Sequence, residues 1–257
     1  MIQLEHIQKF FNRGTVNESH LFKGFDLVIH DGDFVSVVGS NGSGKTTLLN
    51  LLCGSLPCDG GRILVDGKDV TTMPEYRRAG SIGRVYQDPS LGTVPDMTIL
   101  ENLSLAANKG HAYGFASAVS RKRAAQFREQ VAAVGLGLEN RMDTAVGLLS
   151  GGQRQALSLL MSTMTPVDLL ILDEHTAALD PKTAETVMQI TGRIVAEKHI
   201  TTLMVTHNLR YAVEYGNRTL MMHDGNAILD VSGAEKQALQ ISDLLQLFNE
   251  ISIECGN

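Results

Sequence analysis

The fold is decided by a stretch near the start of the chain, GSNGSGKTT, which runs from Gly39 to Thr47. It matches the pattern G-x-x-x-x-G-K-[ST], in which glycines let consecutive backbone N–H groups turn toward the phosphates of a nucleotide. The preceding run, FVSVV, is typical of a strand buried on both faces, and the following LLNLLCG has helical spacing. Because the pattern stands between a buried strand and a helix, it predicts a P-loop in an α/β domain.

Each residue of this loop is a candidate for holding the nucleotide. Lys45 would place a positive charge on the β- and γ-phosphates, and the hydroxyl of Thr46 would bind Mg²⁺. The candidate nucleotide-binding residues are Gly39, Ser40, Asn41, Gly42, Ser43, Gly44, Lys45, Thr46 and Thr47. The alternative is a glycine-rich turn without a ligand.

A P-loop needs a second magnesium ligand, which is usually an acidic residue at the end of an adjacent buried strand. The stretch DLLILDE, Asp168 to Glu174, has this form. Asp173 would hold Mg²⁺ directly or through water. Glu174 follows at once and could accept a proton from an attacking water. The alternative for Glu174 is a solvated carboxylate at the end of a strand.

Composition narrows the class of protein. The 257 residues are 43% hydrophobic and 19% charged, which allows a sizeable core. A net charge of -6 argues against a general nucleic-acid binder, which needs a basic surface. Three cysteines without framework spacing favour a reducing compartment, and we find neither a signal peptide nor an apolar run of about 18 residues. We expect a cytosolic chain that relies on another subunit if it works at a membrane.

Strand-like stretches lie toward both ends of the chain and helix-like stretches in the middle. The first thirty residues alternate in places, and GRILVDGKDV turns at Asp66 and Gly67. From about Pro89 the β-branched runs fade, and TILENLSLAAN and RKRAAQFREQVAAVG have helical spacing. Buried strands return with DLLILDE and TTLMVTH, followed by a hairpin around Asp224 and an amphipathic ISDLLQLFNEI. The pattern predicts an α/β core built from both ends of the chain, with a helical insertion.

A second candidate anion site is LLSGGQRQA, Leu148 to Ala156, where a serine and two glycines precede a helix-like run. A GTPase would need an N-K-x-D motif that recognises guanine, and the most similar stretch, NKGH, lacks the aspartate. A small-molecule kinase would explain the P-loop and would leave LLSGG without a role.

LSGGQ, with the P-loop upstream and LLILDE downstream, resembles the ATP-binding cassette (ABC) ATPases over essentially the full chain. Further motifs follow in the family's order. Gln87 in VYQD matches the glutamine between core and helical lobe, and TAALD, ending at Asp180, matches the loop after the second acidic motif. His207 in MVTHN matches the switch histidine. Phe11 in KFFNRG is similar to the aromatic residue that stacks on adenine, with Phe10 as the alternative.

The resemblance implies a fold, a cofactor pair and a division of roles. The fold is a P-loop NTPase core with a mixed sheet and an N-terminal antiparallel β subdomain, formed by residues 1–88 and 158–257 of a single nucleotide-binding domain. The inserted helical subdomain spans residues 89–157. The cofactors that the resemblance implies for the whole nucleotide-binding domain are ATP and Mg²⁺. The implied catalytic residues are Glu174, His207 and Gln87, and the metal ligands are Thr46, Gln87 and Asp173.

The resemblance also explains the two anion sites. In this family two cassettes pack head to tail, and each signature caps the γ-phosphate held by the other chain's P-loop. The implied additional nucleotide-binding residues are Phe11, Ser150, Gly151, Gly152, Gln153 and Asp180.

The chain departs from the family's pattern in two places. His175 follows Glu174 where the family often has proline, which we interpret as a turn variant without functional consequence. The ALSLLMST after LSGGQRQ is more apolar than usual, which puts any arginine-mediated contact there in doubt.

A single cassette without a membrane segment resembles the ATPase subunit of a transporter, working as a head-to-tail homodimer on separate transmembrane permease subunits. Its expected place is the cytoplasmic face of the inner membrane, with the segment Asp88–Leu105 receiving the permease. VYQDPSLGT and DEHTAALDP look like the ATPases of importers of aromatic amino acids that use an extracytoplasmic substrate-binding protein. The alternatives are an exporter, a lipoprotein-releasing complex, or an ABC ATPase that acts on nucleic acid or ribosomes.

Overall fold

The computed structural model of the chain describes residues 1–110, 119 and 123–254. They divide into two units. The first combines Met1–Ala79 with the chain from Ile200 onward, and the second is Gly80–His199. The predicted helical subdomain, residues 89–157, lies within the second unit, and its bounds stay a prediction.

The secondary structure alternates between strands and helices along most of the chain. The strands are β1 Ile2–Phe11, β2 Ser19–Ile29, β3 Phe34–Gly39, β4 Gly60–Val65, β5 Lys68–Asp69, β6 Ile82–Val85, β7 Leu169–Asp173, β8 Thr202–Val205, β9 Arg218–His223 and β10 Asn226–Ser232. The α-helices are α1 Lys45–Cys53, α2 Glu75–Arg78, α3 Ile99–Ala107, α4 Ala124–Val134, α5 Gly151–Ser162, α6 Pro181–Lys198, α7 Leu209–Glu214, α8 Gly233–Ala238 and α9 Ile241–Glu254.

An antiparallel sheet forms the N-terminal part of the first unit, in the order β2-β1-β4-β5. One face of β1 is buried through Ile2 and Leu4, as the alternation of the sequence predicts. The alternation then shifts at His6, which has a φ of 51° and interrupts the register between Leu4 and Ile7. This bulge adds a residue and returns Ile7 to the buried face.

A mixed sheet forms the rest of the first unit's core. β3 is parallel to both β8 and β9, and β9 is antiparallel to β10. All six residues of β3 are buried, which confirms the prediction of a strand covered on both faces. Helix α9 packs its Leu244 into a cluster that includes Val38 and Met221, so its apolar stripe covers the chain's own core.

The second unit pairs the parallel strands β6 and β7, with α5 packed against β6 and α3, α4 and α6 in contact with α5. Helix α4 ends where the sequence predicts, because Gly135 adopts a left-handed conformation with a φ of 80°. Residues 121–122, at the start of that predicted helix, lie outside the described residues. Helix α3 begins with a capping box in which Thr98 and Glu101 bond to each other's backbone N–H groups.

Candidate active site

The P-loop connects the carboxyl end of β3 to the first turn of α1, as predicted. Gly39, Gly42 and Gly44 have φ values of 156°, 81° and 106°, which side chains rarely tolerate. A Cβ at Gly39 would lie within 3.0 Å of the carbonyl oxygen of Met222, so the loop also needs glycine there for space. The glycines thus let the backbone follow a path that folds around an anion.

Lys45 lies buried inside this loop. Its ammonium donates to the carbonyl oxygens of Gly39 and Ser40, each at 2.8 Å, and lies 3.5 Å from the hydroxyl of Ser43. These contacts use the three donors that a lysine has. The positive charge of Lys45 is therefore in the loop before an anion binds. A bound phosphate oxygen would replace one of the three acceptors of the ammonium.

The remaining loop residues differ in exposure. Ser43 is buried, whereas Asn41 and Gly42 are exposed and Ser40 and Thr47 are partly buried. Thr46 is exposed on the first turn of α1, where a metal ion can reach its hydroxyl.

The turn between β9 and β10 braces the P-loop, a contact that sequence reasoning missed. The backbone N–H of Gly225 donates to the carbonyl oxygen of Ser43 at 3.0 Å. The Nδ1 atom of His223 lies 3.5 Å from the hydroxyl of Ser40. The sequence predicts the hairpin but not its contact with the P-loop, because the P-loop lies far away in the chain.

His207 lies on the same edge of the mixed sheet as the P-loop. β8 pairs in parallel with β3, with Val205 opposite Val37, so the carboxyl ends of the two strands are neighbours. His207 follows β8 two residues later and is exposed. The next residue, Asn208, caps α7 by accepting bonds from the N–H groups of Arg210 and Tyr211. The backbone around His207 is therefore fixed by a helix start.

Of the two candidate aromatic residues, Phe10 is already engaged within the protein. Its ring stacks on His20 with centroids 3.8 Å apart, and the guanidinium carbon of Arg13 lies 4.9 Å from its centroid. Phe11 is 36% exposed, and the ammonium of Lys9 lies 5.7 Å from its ring centroid. Its exposure and the absence of a stacked ring among the described residues favour Phe11 as the residue that offers a ring face to a base.

The second unit carries the acidic candidates at the carboxyl ends of its parallel strands. Val85 on β6 pairs with Leu172 on β7, so Gln87 and Asp173 follow at the same edge. Gln87 is exposed, and Asp173 and Glu174 are partly buried. The guanidinium of Arg84 donates to Oδ2 of Asp173 at 2.7 Å, a contact that the sequence did not predict.

The signature stretch forms the start of α5. Ser150 caps the helix, accepting from the N–H of Gln153 at 3.3 Å, and the Gln153 side chain accepts from the N–H of Ser150 at 3.2 Å. Ser150 and Gly151 are exposed. Gly152 has an ordinary φ, but its Cβ would lie within 3.0 Å of the Thr183 methyl group on α6. Unlike the P-loop glycines, Gly152 is needed for close helix packing.

The ABC transporter family model matches residues 22–177, which include the P-loop, the signature stretch and Asp173. A tyrosine transport ATP-binding protein of Clostridioides difficile is 45% identical over 248 residues, covering 96% of this chain and 98% of the relative. The chain belongs to the ATP-binding proteins of ABC transporters. The thiamine import ATP-binding protein ThiQ of Escherichia coli is 32% identical, covering 80% of this chain and 84% of ThiQ.

A solved ABC cassette confirms the predicted fold class. The dimeric post-hydrolysis state of the cassette MJ0796, bound to ADP and Pi, superposes with a TM-score of 0.75 at 27% identity, covering 90% of this chain and 98% of that one. The chain is therefore an α/β ABC ATPase, with an antiparallel β subdomain and a mixed sheet, that binds and hydrolyses ATP. Among the described residues, no helix is long and apolar enough to cross a membrane.

In this ABC protein the segment after Asp173 turns sharply. Glu174 has a φ of 46°, a left-handed conformation that is uncommon for a residue with a side chain. Its carbonyl oxygen accepts from the N–H of Ala177 at 2.9 Å. Holding a residue in such a conformation costs about 1–3 kcal/mol, so the surrounding contacts must enforce it.

His175 is an internal anchor of this turn. It is 2% exposed, and its Nε2 lies 3.1 Å from the hydroxyl of Thr191 on α6. Since that hydroxyl donates to the carbonyl oxygen of Val187 at 2.8 Å, it accepts from the His175 N–H. Burial lowers the pKa of His175 to about 4, so the ring is neutral at pH 7. The interpretation of His175 as a turn variant without functional consequence stays a prediction.

Asp180 caps the next helix of the ABC fold. Its Oδ1 accepts from the N–H of Thr183 at 3.1 Å, at the start of α6. Hydrogen bonds from the side chain of Thr183 and then from its backbone N–H lower the pKa of the Asp180 carboxyl. The side chain is exposed, so nucleotide binding through Asp180 stays a prediction beside this observed cap.

The candidate metal ligands suit Mg²⁺. Thr46, Asp173 and Gln87 offer a hydroxyl, a carboxylate and an amide oxygen, and Mg²⁺ prefers oxygen ligands. Within the described part of the chain, no cluster of three or more His, Cys, Asp or Glu side chains could hold a metal ion by itself.

Proposed function

We propose that this ABC ATPase drives a bacterial importer of a small solute, and that the solute is an aromatic amino acid such as tyrosine. One observation carries the proposal: the 45% identity to a tyrosine transport ATP-binding protein extends over nearly the whole length of both chains. The stretches VYQDPSLGT and DEHTAALDP support the same class of importer. The similarity to a thiamine import protein favours the inward direction.

In the proposed site, the P-loop holds the β- and γ-phosphates. The Lys45 ammonium exchanges a hydrogen bond to a backbone carbonyl oxygen for one to a phosphate oxygen. Thr46, Asp173 and Gln87 would hold Mg²⁺, which when bound neutralises phosphate charge. Glu174 accepts a proton from the attacking water, a role worth roughly 10²–10⁴-fold in rate. His207 donates to the γ-phosphate or holds that water, and Phe11 stacks on adenine. Asp180 contacts the nucleotide from the start of α6.

The signature stretch acts on the partner's nucleotide in this proposal. Ser150, Gly151, Gly152 and Gln153 cap the γ-phosphate held by a second copy of the chain, in a head-to-tail dimer. Exposure of Ser150 and Gly151 at a helix start supports this, because such N–H groups bind anions readily. The neighbouring Leu148 is 74% exposed, as a residue awaiting a partner surface would be.

The ATPase would dock at the cytoplasmic face of the inner membrane on separate permease subunits. The segment Asp88–Leu105 would receive the permease, and its exposed Leu91 and Val94 supply apolar surface for that contact. Closure of the dimer on two ATP would draw the helical subdomains together, and hydrolysis would release them. An extracytoplasmic binding protein would deliver the solute.

Reconstitution in vesicles tests the proposed direction and cargo. The chain is co-purified with its permease subunits and inserted in liposomes, with the binding protein outside and ATP inside. We expect tyrosine to stimulate ATP hydrolysis several-fold and to accumulate inside, with thiamine as the unrelated control. Stimulation without a binding protein, or outward movement of solute, would favour an exporter instead.

A further inference from the structure

Arg84 and Asp173 form an ion pair inside the second unit. Nη2 of Arg84 donates to Oδ2 of Asp173 at 2.7 Å, and the two side chains are only 13% and 16% exposed. The sheet register explains the pair. Arg84 lies opposite Ile171 on the parallel strand β7, and Asp173 comes two residues later, so both side chains project from the same face.

Arg84 is held in place before any ligand binds. Its guanidinium carbon lies 4.7 Å from the ring centroid of Tyr86, the residue that follows the end of β6. Its carbonyl oxygen accepts from the hydroxyl of Ser162 at 3.0 Å, and the side chain of Gln155 donates to the carbonyl oxygen of Tyr86 at 2.9 Å. Both donors belong to α5, the helix that begins at the signature. Arg84 therefore sits on a strand segment that α5 fixes.

A mostly buried carboxylate that lacks a hydrogen-bond or ion-pair partner destabilises the fold. Arg84 supplies that partner. The bond occupies one oxygen of Asp173, and a carboxylate has about four acceptor sites, so capacity for a metal ion remains. The fixed positive charge of the guanidinium would at the same time repel a second cation.

We propose that Arg84 is the resident counter-ion of Asp173 and a positioning residue for the metal site. It orients the carboxylate before nucleotide arrives, and its positive charge weakens the binding of free divalent cations, so that magnesium enters together with the phosphates of ATP. The inference rests on the proposed role of Asp173 as a metal ligand. It assigns Arg84 no contact with substrate.

A double-mutant cycle separates the pair from its surroundings. The variants are Arg84→Met, Asp173→Asn and their combination, with the exposed Arg141→Met as the matched control. Two quantities are measured on nucleotide-free protein: the melting temperature, and the affinity for Mn²⁺ by electron paramagnetic resonance. We expect Arg84→Met to lower the melting temperature by about 5 °C or more, because it leaves a buried carboxylate unpaired. The double variant should recover most of that loss.

The affinity for Mn²⁺ distinguishes the proposed role from a purely structural one, because replacing an arginine that only stabilises the fold would leave this affinity unchanged. We expect Arg84→Met to bind free Mn²⁺ about tenfold more tightly than wild type, since one positive charge near the carboxylate is gone. Neither the double variant nor Arg141→Met should show this gain. Arg84→Gln keeps a donor to Asp173 without the charge, so it should fold and still gain Mn²⁺ affinity even if Arg84→Met is too unstable.

The outcomes are distinct. Unchanged Mn²⁺ affinity in both Arg84→Met and Arg84→Gln would overturn the proposal, as would a loss of stability that the double variant does not recover. The proposed function is tested apart from this, by binding of a fluorescent ATP analogue to wild type. If wild type failed to bind the analogue, the proposed function would fall while the cycle still reported on the pair.

Discussion

The imidazole of His175 donates a hydrogen bond to the hydroxyl of Thr191, joining the turn after the acidic strand to the middle of α6. This bond fixes the residue next to Glu174, whose left-handed conformation needs support from its neighbours. It therefore connects the geometry of the proposed general base to the packing of a helix.

Thr191→Val removes the acceptor of this bond and keeps the shape of the side chain. A buried N–H would lose its partner, which costs about 1–3 kcal/mol. We expect the free energy of unfolding to fall by that amount in denaturant titrations. Thr191→Ser keeps the hydroxyl and is the control. Equal losses in the two variants would show that the methyl group matters and the hydrogen bond does not.

The buried imidazole also predicts a pH dependence of stability. The folded-state pKa of His175 is about 4, below its ordinary value, so the unfolded chain takes up this proton first as pH falls. The contribution is absent above about pH 7 and reaches about 2 kcal/mol of lost stability by pH 5. We expect His175→Gln to lose less stability than wild type between pH 7 and pH 5. Parallel pH profiles of the two proteins would contradict a depressed pKa.

Gly152→Ala tests whether the signature glycine serves helix packing. The added methyl group would overlap the Thr183 side chain on α6, and overpacking of this kind costs about 1–3 kcal/mol. Thr183→Ser removes the opposing methyl group, so the double variant should recover most of the lost stability. Gly151→Ala is the milder comparison, because its new atom meets only the end of the flexible Leu179 side chain. No difference between the two alanine variants would argue against tight packing at Gly152.

Adenine stacking distinguishes the two neighbouring phenylalanines. Phe11→Ala should weaken ATP binding by about 1–3 kcal/mol in calorimetry, the usual value of stacking on a base, and leave the melting temperature nearly unchanged. Phe10→Ala should mainly lower stability, because its ring stacks on His20. The reverse pattern would assign the stacking role to Phe10.

Much of the fold could be predicted because its signals are local. The P-loop, the buried β3, the hairpin turn at Asp66 and the end of α4 at Gly135 each depend on a few consecutive residues. The six-residue helices α7 and α8 were missed, since so short a helix shows less than two turns of periodicity.

The contacts that shape the site were not predictable from one sequence. Arg84 and Asp173 are 89 residues apart, and only the parallel register of β6 and β7 places them together. The burial of His175 likewise depends on α6 packing over the turn. A pattern shows which residues carry chemistry, whereas the neighbours that hold them come from tertiary structure.

We propose that each signature stretch acts on the nucleotide of the partner chain, and a mixed dimer tests this directly. Lys45→Ala disables a P-loop, and Ser150→Arg blocks a signature with a bulky side chain. Both chains also carry Glu174→Gln, so that bound ATP is trapped. A mixed dimer with one chain of each kind is isolated by two different affinity tags.

If the signature acts across the interface, one site of the mixed dimer combines both defects and the other combines an intact P-loop with an intact signature. If it served its own chain, each site would contain one defect. The decisive measurement is the number of ATP molecules trapped per mixed dimer. We expect about one, whereas the dimer lacking either disabling change should trap two. A mixed dimer that demonstrably forms and traps none would show that the signature does not act across the interface.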